Sequence, residues 1–106
     1  NVNVAPSNEV INWQKDGFVE IATEHVVMLN SMDFNFDVES IADKFKLEVM
    51  TNGIWQPISL SMNKRNKTLV NAGHEIDGLK AKKLRLTNTS GEDLKVYFRS
   101  FKFATK

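Results

Sequence analysis

The sequence predicts an all-β fold, an antiparallel β-sandwich of jelly-roll type with about seven or eight short strands. Three observations predict it. Apolar residues recur with period two in several short runs, turn-forming clusters separate those runs, and no segment holds a 3.6-residue apolar repeat over three turns.

Taken in order, Asn1 to Asn8, with Pro6 and Ser7, has the composition of a linker. The folded domain is expected over 13–106, with 1–12 as its linker-like lead. Phe18-Val19-Glu20-Ile21 is β-prone and follows the turn-like Lys15-Asp16-Gly17. From Met28 to Phe36, Met28, Asn30, Met32, Phe34 and Phe36 share one face. Val38 to Lys44 offers one or two helical turns at most. Phe45 to Val49 alternates strictly, breaks at Thr51-Asn52-Gly53 and resumes at Ile54-Trp55. Asn-Gly between alternating runs is a strong hairpin signal, because both residues tolerate positive φ. Ile58, Leu60 and Met62 alternate next, then a polar turn (Asn63 to Lys67) leads into Thr68-Leu69-Val70. Leu84 and Leu86 flank Arg85 in a further strand, and Thr89 to Asp93 is a loop. The last run, Leu94 to Phe103, reads as one strand with Leu94, Val96 and Phe98 on one face and Tyr97, Arg99, Phe101 and Phe103 on the other.

The chain has 106 residues, a single-domain length, with 14 Lys plus Arg against 13 Asp plus Glu and a formal charge of +1. A general polyanion-binding protein carries a larger basic excess. Residues 1–50 nevertheless hold nine acidic and three basic side chains, and 51–106 hold four and eleven. In an antiparallel sandwich early and late strands interleave, so these opposite fields are expected largely to cancel. Cysteine is absent, which excludes disulfide scaffolds, thiol catalysis and Cys-ligated zinc. The longest apolar run, Val26 to Leu29, is far too short to span a bilayer. The chain opens on Asn1, without an initiator Met or signal segment, so a piece of a longer protein is expected.

Few residues suggest chemistry. The carboxylate pairs Asp37/Glu39 and Glu75/Asp77 have same-face strand spacing but lack the aromatic or basic neighbours that tune a catalytic pKa. His25 and His74 stand apart with no second ligand at i+2 or i+4, so no metal or cofactor is expected. The basic stretch Lys80 to Arg85 splits its charge between two strand faces, so no nucleic-acid partner is expected either.

Three stretches carry a resemblance. Phe45 to Ile58, with Asn52-Gly53 and Trp55, is similar to a hairpin of discoidin (coagulation-factor type C) domains and family 32 carbohydrate-binding modules. Lys83-Leu84-Arg85-Leu86-Thr87-Asn88-Thr89-Ser90 resembles a late strand and turn of the same group, and Leu94 to Phe103 its closing strand. The resemblance spans roughly residues 18–103 and implies a galactose-binding-domain-like sandwich. It also implies an accessory domain of a secreted glycoside hydrolase, of the family 84 β-N-acetylglucosaminidase or hyaluronidase kind, hence an extracellular or periplasmic location. The departures are specific. Residues 1–17 offer only Asp16-Gly17 and Trp13 where the family wraps a calcium, Asn30 to Lys44 contains neither His nor Arg, and the hairpin turn is one residue shorter. The family's sugar site therefore does not carry over residue by residue.

A sandwich module that binds sugar needs an aromatic face and polar neighbours. The candidates are Trp13, Trp55, His74 and Tyr97 for the ring, with Arg65 and Asn66, beside Asn63 and Asn71, for hydroxyls. Trp13 reads equally as a loop platform or as a plug at one end of the sandwich. Trp55, directly after the hairpin turn, is expected to pack on its sheet. The expected function is non-catalytic targeting to an N-acetylhexosamine or galactose glycan, with that glycan and the parent's catalytic domain as partners. The alternative is a structural docking domain without a ligand, which would show a contiguous exposed apolar patch.

Overall fold

The computed structural model describes residues 2–4, 9–36, 38 and 41–105. Within them ten strands pair entirely antiparallel: β1 (Val2–Val4), β2 (Glu9–Trp13), β3 (Phe18–Asn35), β4 (Phe45–Thr51), β5 (Ile54–Ile58), β6 (Leu60–Met62), β7 (Leu69–Ala72), β8 (Lys80–Asn88), β9 (Leu94–Phe98) and β10 (Ser100–Thr105). Ile41–Asp43 and His74–Ile76 form single 3-10 turns. Among the described residues no helix is long and apolar enough to cross a membrane. The all-β sandwich read from the sequence is the fold observed.

The longest strand organises the molecule. The first half of β3 pairs β8, which continues through β4 to β5; its second half pairs β10 on one side and β7 on the other. The sequence suggested two separate strands here. They join through a register shift between Ala22 and Val27, where the Thr23 hydroxyl donates to the carbonyls of His25 (2.6 Å) and Lys82 (3.2 Å). Such a bulge bends a strand enough for it to serve both layers. One layer is β5–β4–β8–β3, the other β1–β10–β3–β7–β6, and the ribbon β2–β9 pairs with neither but packs Trp13, Val96 and Phe98 into the common core.

The Asn52-Gly53 hairpin forms as read. Asn52 (φ 52°) and Gly53 (φ 78°) are both left-handed, as a two-residue loop between twisted strands requires, and Met50 lies opposite Trp55. Two expectations give way. Leu94 to Phe103 is two strands, broken at Arg99, whose N–H donates to the Asn35 carbonyl (2.8 Å). The chain there leaves the β2–β9 ribbon for the β3 layer. The buried set consequently changes parity, from Val96 and Phe98 to Phe101 and Phe103. Residues 2–4 and 9–12, within the stretch read as linker-like, lie in strands β1 and β2, paired with β10 and β9, and the expected boundary at 12/13 falls inside β2. Positions 5–8, Asp37 and Glu39 lie outside the described residues.

The core is aromatic. Of the seven Phe residues, Phe34, Phe36, Phe45, Phe98, Phe101 and Phe103 are buried. Phe36 is their hub, with ring centroids 4.9 Å from Phe98, 5.2 Å from Phe45 and 5.9 Å from Trp13. Rings at these separations gain pair energy beyond the area they bury. Only Phe18 is exposed.

Candidate functional site: two sheet faces and a basic loop

Strict alternation in β4 sends Phe45, Leu47 and Val49 inward, so Lys46, Glu48 and Met50 line the outer face of the first layer. The hairpin register adds Trp55 to that face, and β8 and β3 add Arg85 and Phe18. Arg85 Nε donates to Glu48 Oε1 (2.9 Å) and its guanidinium lies 4.2 Å from the Trp55 ring centroid and 5.9 Å from that of Phe18. A guanidinium held over an indole is a favourable cation–π contact, and it occupies the ring face that a pyranose would need. Trp55 thus packs on its sheet, as its position after the turn suggests.

The outer face of the second layer is polar. Lys102, Asp33, Asn71 and Ser61 are successive register partners on β10, β3, β7 and β6. Asn71 Nδ2 donates to Asp33 Oδ1 (2.6 Å), and Asn63 Nδ2 to Asn71 Oδ1 (3.2 Å). Asn63 Oδ1 then accepts from the N–H groups of Arg65 (2.9 Å) and Asn66 (3.0 Å), while Asn66 Oδ1 accepts from the Thr68 N–H and hydroxyl. Side-chain to backbone bonds of this kind fix a turn that would otherwise sample many conformations. The loop after β6 is anchored to the sheet by a chain of amides. Beside it opens a cleft of about 530 Å³ walled by Ser61, Met62, Asn63, Lys64, Arg65 and Asn71. On the other side of Asp33 lies a second hollow of about 270 Å³, lined by Ser31, Asp33, Lys102, Phe103 and Ala104.

The remaining candidates lie elsewhere. Trp13 is 2% exposed, stacked on Phe36 and tilted against Phe45 (5.5 Å), with its indole N–H donating to the Gly17 carbonyl (3.0 Å). Of its two readings the plug is realised, and no ring face remains for a ligand. Tyr97 is half-buried on β9, opposite the exposed Val10. His74 is exposed and opens a 3-10 turn. Of the six, Arg65 alone lines the cleft, and Asn66 follows it in the same loop. Asp33 and Lys102 were not among the candidates: their outward phase is visible in the sequence, but their register partnership across three strands is not. The exposed large apolar side chains, Val10, Phe18, Val26, Met28, Ile54 and Met62, are spread over β2, β3, β5 and β6. Among the described residues no group of three His, Asp or Glu side chains could hold a metal.

Beside His74, Glu75 closes a latch on the β5–β6 corner, accepting from the Ser59 N–H (3.0 Å) and hydroxyl (2.9 Å). A Cβ at position 73 would collide with Ser59 Oγ and Glu75 Oε1, so the latch requires Gly73. The Glu75 backbone N–H and then these Ser59 donors hold the carboxyl below its usual value of 4.5; slight desolvation opposes them, and the His74 charge adds a small pull downward. Because the folded value is lowered, the latch is fully made above the ordinary glutamate pKa and is lost as pH falls through the lowered one. In an acid titration followed by amide NMR, the Ser59 resonance should move with a midpoint below 4.5. Glu75→Gln should abolish that step.

The fold and faces define an antiparallel β-sandwich module with a polar cleft on one outer face. Residues 1–35 match the model of carbohydrate binding module family 32. The match, a third of the chain, covers β1, β2 and the whole of β3, and includes Asp33 of the polar row.

Proposed function

We propose that this chain is a non-catalytic carbohydrate-binding module, an accessory domain of a secreted glycan-degrading enzyme. The observation that carries the reading is the cleft beside the β6–β7 loop, where amide, hydroxyl and guanidinium groups stand on a loop already fixed by hydrogen bonds. Groups ordered before the ligand arrives spare it the entropy of ordering them, which is what a weak sugar site requires. The family match over residues 1–35 supports the same reading. Arg65 and Asn66, with Asn63 and Asn71, bind the sugar's hydroxyls. The sugars proposed are of the N-acetylhexosamine or galactose type, and the parent is a family 84-like glycoside hydrolase acting outside the cytoplasm. The module acts by proximity: attachment to a polymer raises the effective substrate concentration of the tethered catalytic domain. Titration of isotopically labelled protein with chito- and galacto-oligosaccharides should give saturable shifts at Asn63, Asn66 and Asn71. A flat response across a broad glycan array would overturn the reading.

A further inference from the structure

We propose that the ligand is an extended acidic glycan, laid across the whole outer face of the second layer from the β6–β7 loop to β10. This rests on the carbohydrate-binding reading and goes beyond a site confined to the loop. Lys102, Asp33, Asn71 and Ser61 stand in register on four adjacent strands. With neighbouring strands about 4.8 Å apart, the row is about 14 Å long, the reach of an oligosaccharide and not of a single sugar. The two hollows flank Asp33 and Asn71, so the row forms the floor between them.

Charge along this floor is ordered. Lys102 stands at one end, Lys64 and Arg65 at the other, and hydrogen-bonding groups lie between. Both ion pairs among the described residues use Glu48, on the other layer, so Lys64, Arg65 and Lys102 have no carboxylate partner there. A neutral chain would leave these cations as they are. Carboxylate or sulfate groups on the sugars would meet them in charge-assisted contacts, while the free oxygen of Asp33 accepts a sugar hydroxyl. Asp33 opposes any chain charged at every unit, glycan or phosphodiester, so it favours charges placed over the two cationic ends. The floor also lacks the exposed rings on which nucleic-acid bases stack, since Phe103 is buried.

The test uses galactose-based probes on the intact chain: oligogalacturonate (carboxylate only), κ-carrageenan oligosaccharides (sulfate only), neutral galacto-oligosaccharides and a single-stranded oligonucleotide. An acidic probe should shift Asp33, Asn71, Arg65 and Lys102 amides together, bind more tightly as it lengthens and weaken with added salt. The responding arm, carboxylate or sulfate, names the group recognised. R65Q and K102Q, both at exposed positions, should each weaken binding about fivefold with thermal unfolding unchanged. Equal binding of the neutral probe would overturn the acidic inference while leaving the module a glycan binder. Loss of affinity in R65Q but not K102Q would overturn the extended groove. Binding of the oligonucleotide alone, or of no glycan, would overturn this inference and the proposed function together.

Discussion

Trp13→Ala is expected to destabilise the domain by about 4 kcal/mol, in the range for large aromatic truncations in a close-packed interior. The indole is 2% exposed and lies against Phe36 and Phe45. Its removal opens a void where β2 meets the sheets, because strands tied into both layers limit collapse. Thermal unfolding should fall by about 20 °C for a domain of this size. Urea denaturation followed by far-ultraviolet circular dichroism should show a lower midpoint with an unchanged slope, since the area exposed on unfolding hardly alters. Trp13→Phe should cost much less. It keeps a ring in the cluster, and the Gly17 carbonyl it deprives of the indole still accepts from the Asn88 N–H (2.9 Å). Glycan affinity of the folded Trp13→Phe protein should match the parent's. A parental midpoint in Trp13→Ala would be incompatible with the plug.

What could be read from the sequence followed from how local its cause is. The β4–β5 hairpin needs only Asn52-Gly53 and the alternation beside it, so its register and the outward direction of Trp55 follow from a dozen residues. β1 and β2, by contrast, are strands because β10 and β9 lie alongside them, and short pairings of this kind leave no period to detect. Arg99 shows the limit in part: the adjacent polar pair Arg99-Ser100 interrupts the alternation between Phe98 and Phe101, but only the neighbouring strands reveal that the chain changes layer there.

The site was half legible for the same reason. Arg65 and Asn66 belong to a loop whose polarity marks it, and their turn is set by Asn63 two and three residues away. The groove's other members arrive from β3, β7 and β10, and Asp33 reads as one more outward residue until Asn71 and Lys102 are placed beside it. Two of the four ring candidates, Trp13 and Trp55, are covered, because ring type says nothing of burial. Trp13 fills the core and Trp55 lies under Arg85, whereas His74 stays exposed and Tyr97 half-buried, away from the proposed groove.

Asn88 should be the most consequential polar side chain. It is fully buried, and its amide nitrogen donates to the carbonyls of Trp13 (3.0 Å), Gln14 (3.2 Å) and Glu92 (2.8 Å). Its oxygen accepts from the Ser90 N–H (2.9 Å) and hydroxyl (2.7 Å), so one residue ties the turn after β2 to the loop after β8. Asn88→Ala strands several of these groups at once and is expected to cost about 3 kcal/mol. Asn88→Asp tests the mechanism more sharply. An ionised carboxylate there would face three carbonyl oxygens with no proton to offer, whereas the neutral acid can donate one. Burial and those carbonyls therefore raise the substituted carboxyl's pKa in the fold above its unfolded value of about 3.9. With the folded pKa raised, the variant's stability relative to the parent is greatest below the unfolded value and is lost as pH rises through the folded one. Urea midpoints of the two proteins should converge toward about pH 4 and separate toward about pH 7. A gap that stayed constant with pH would mean that the three carbonyls are not what the Asn88 amide holds.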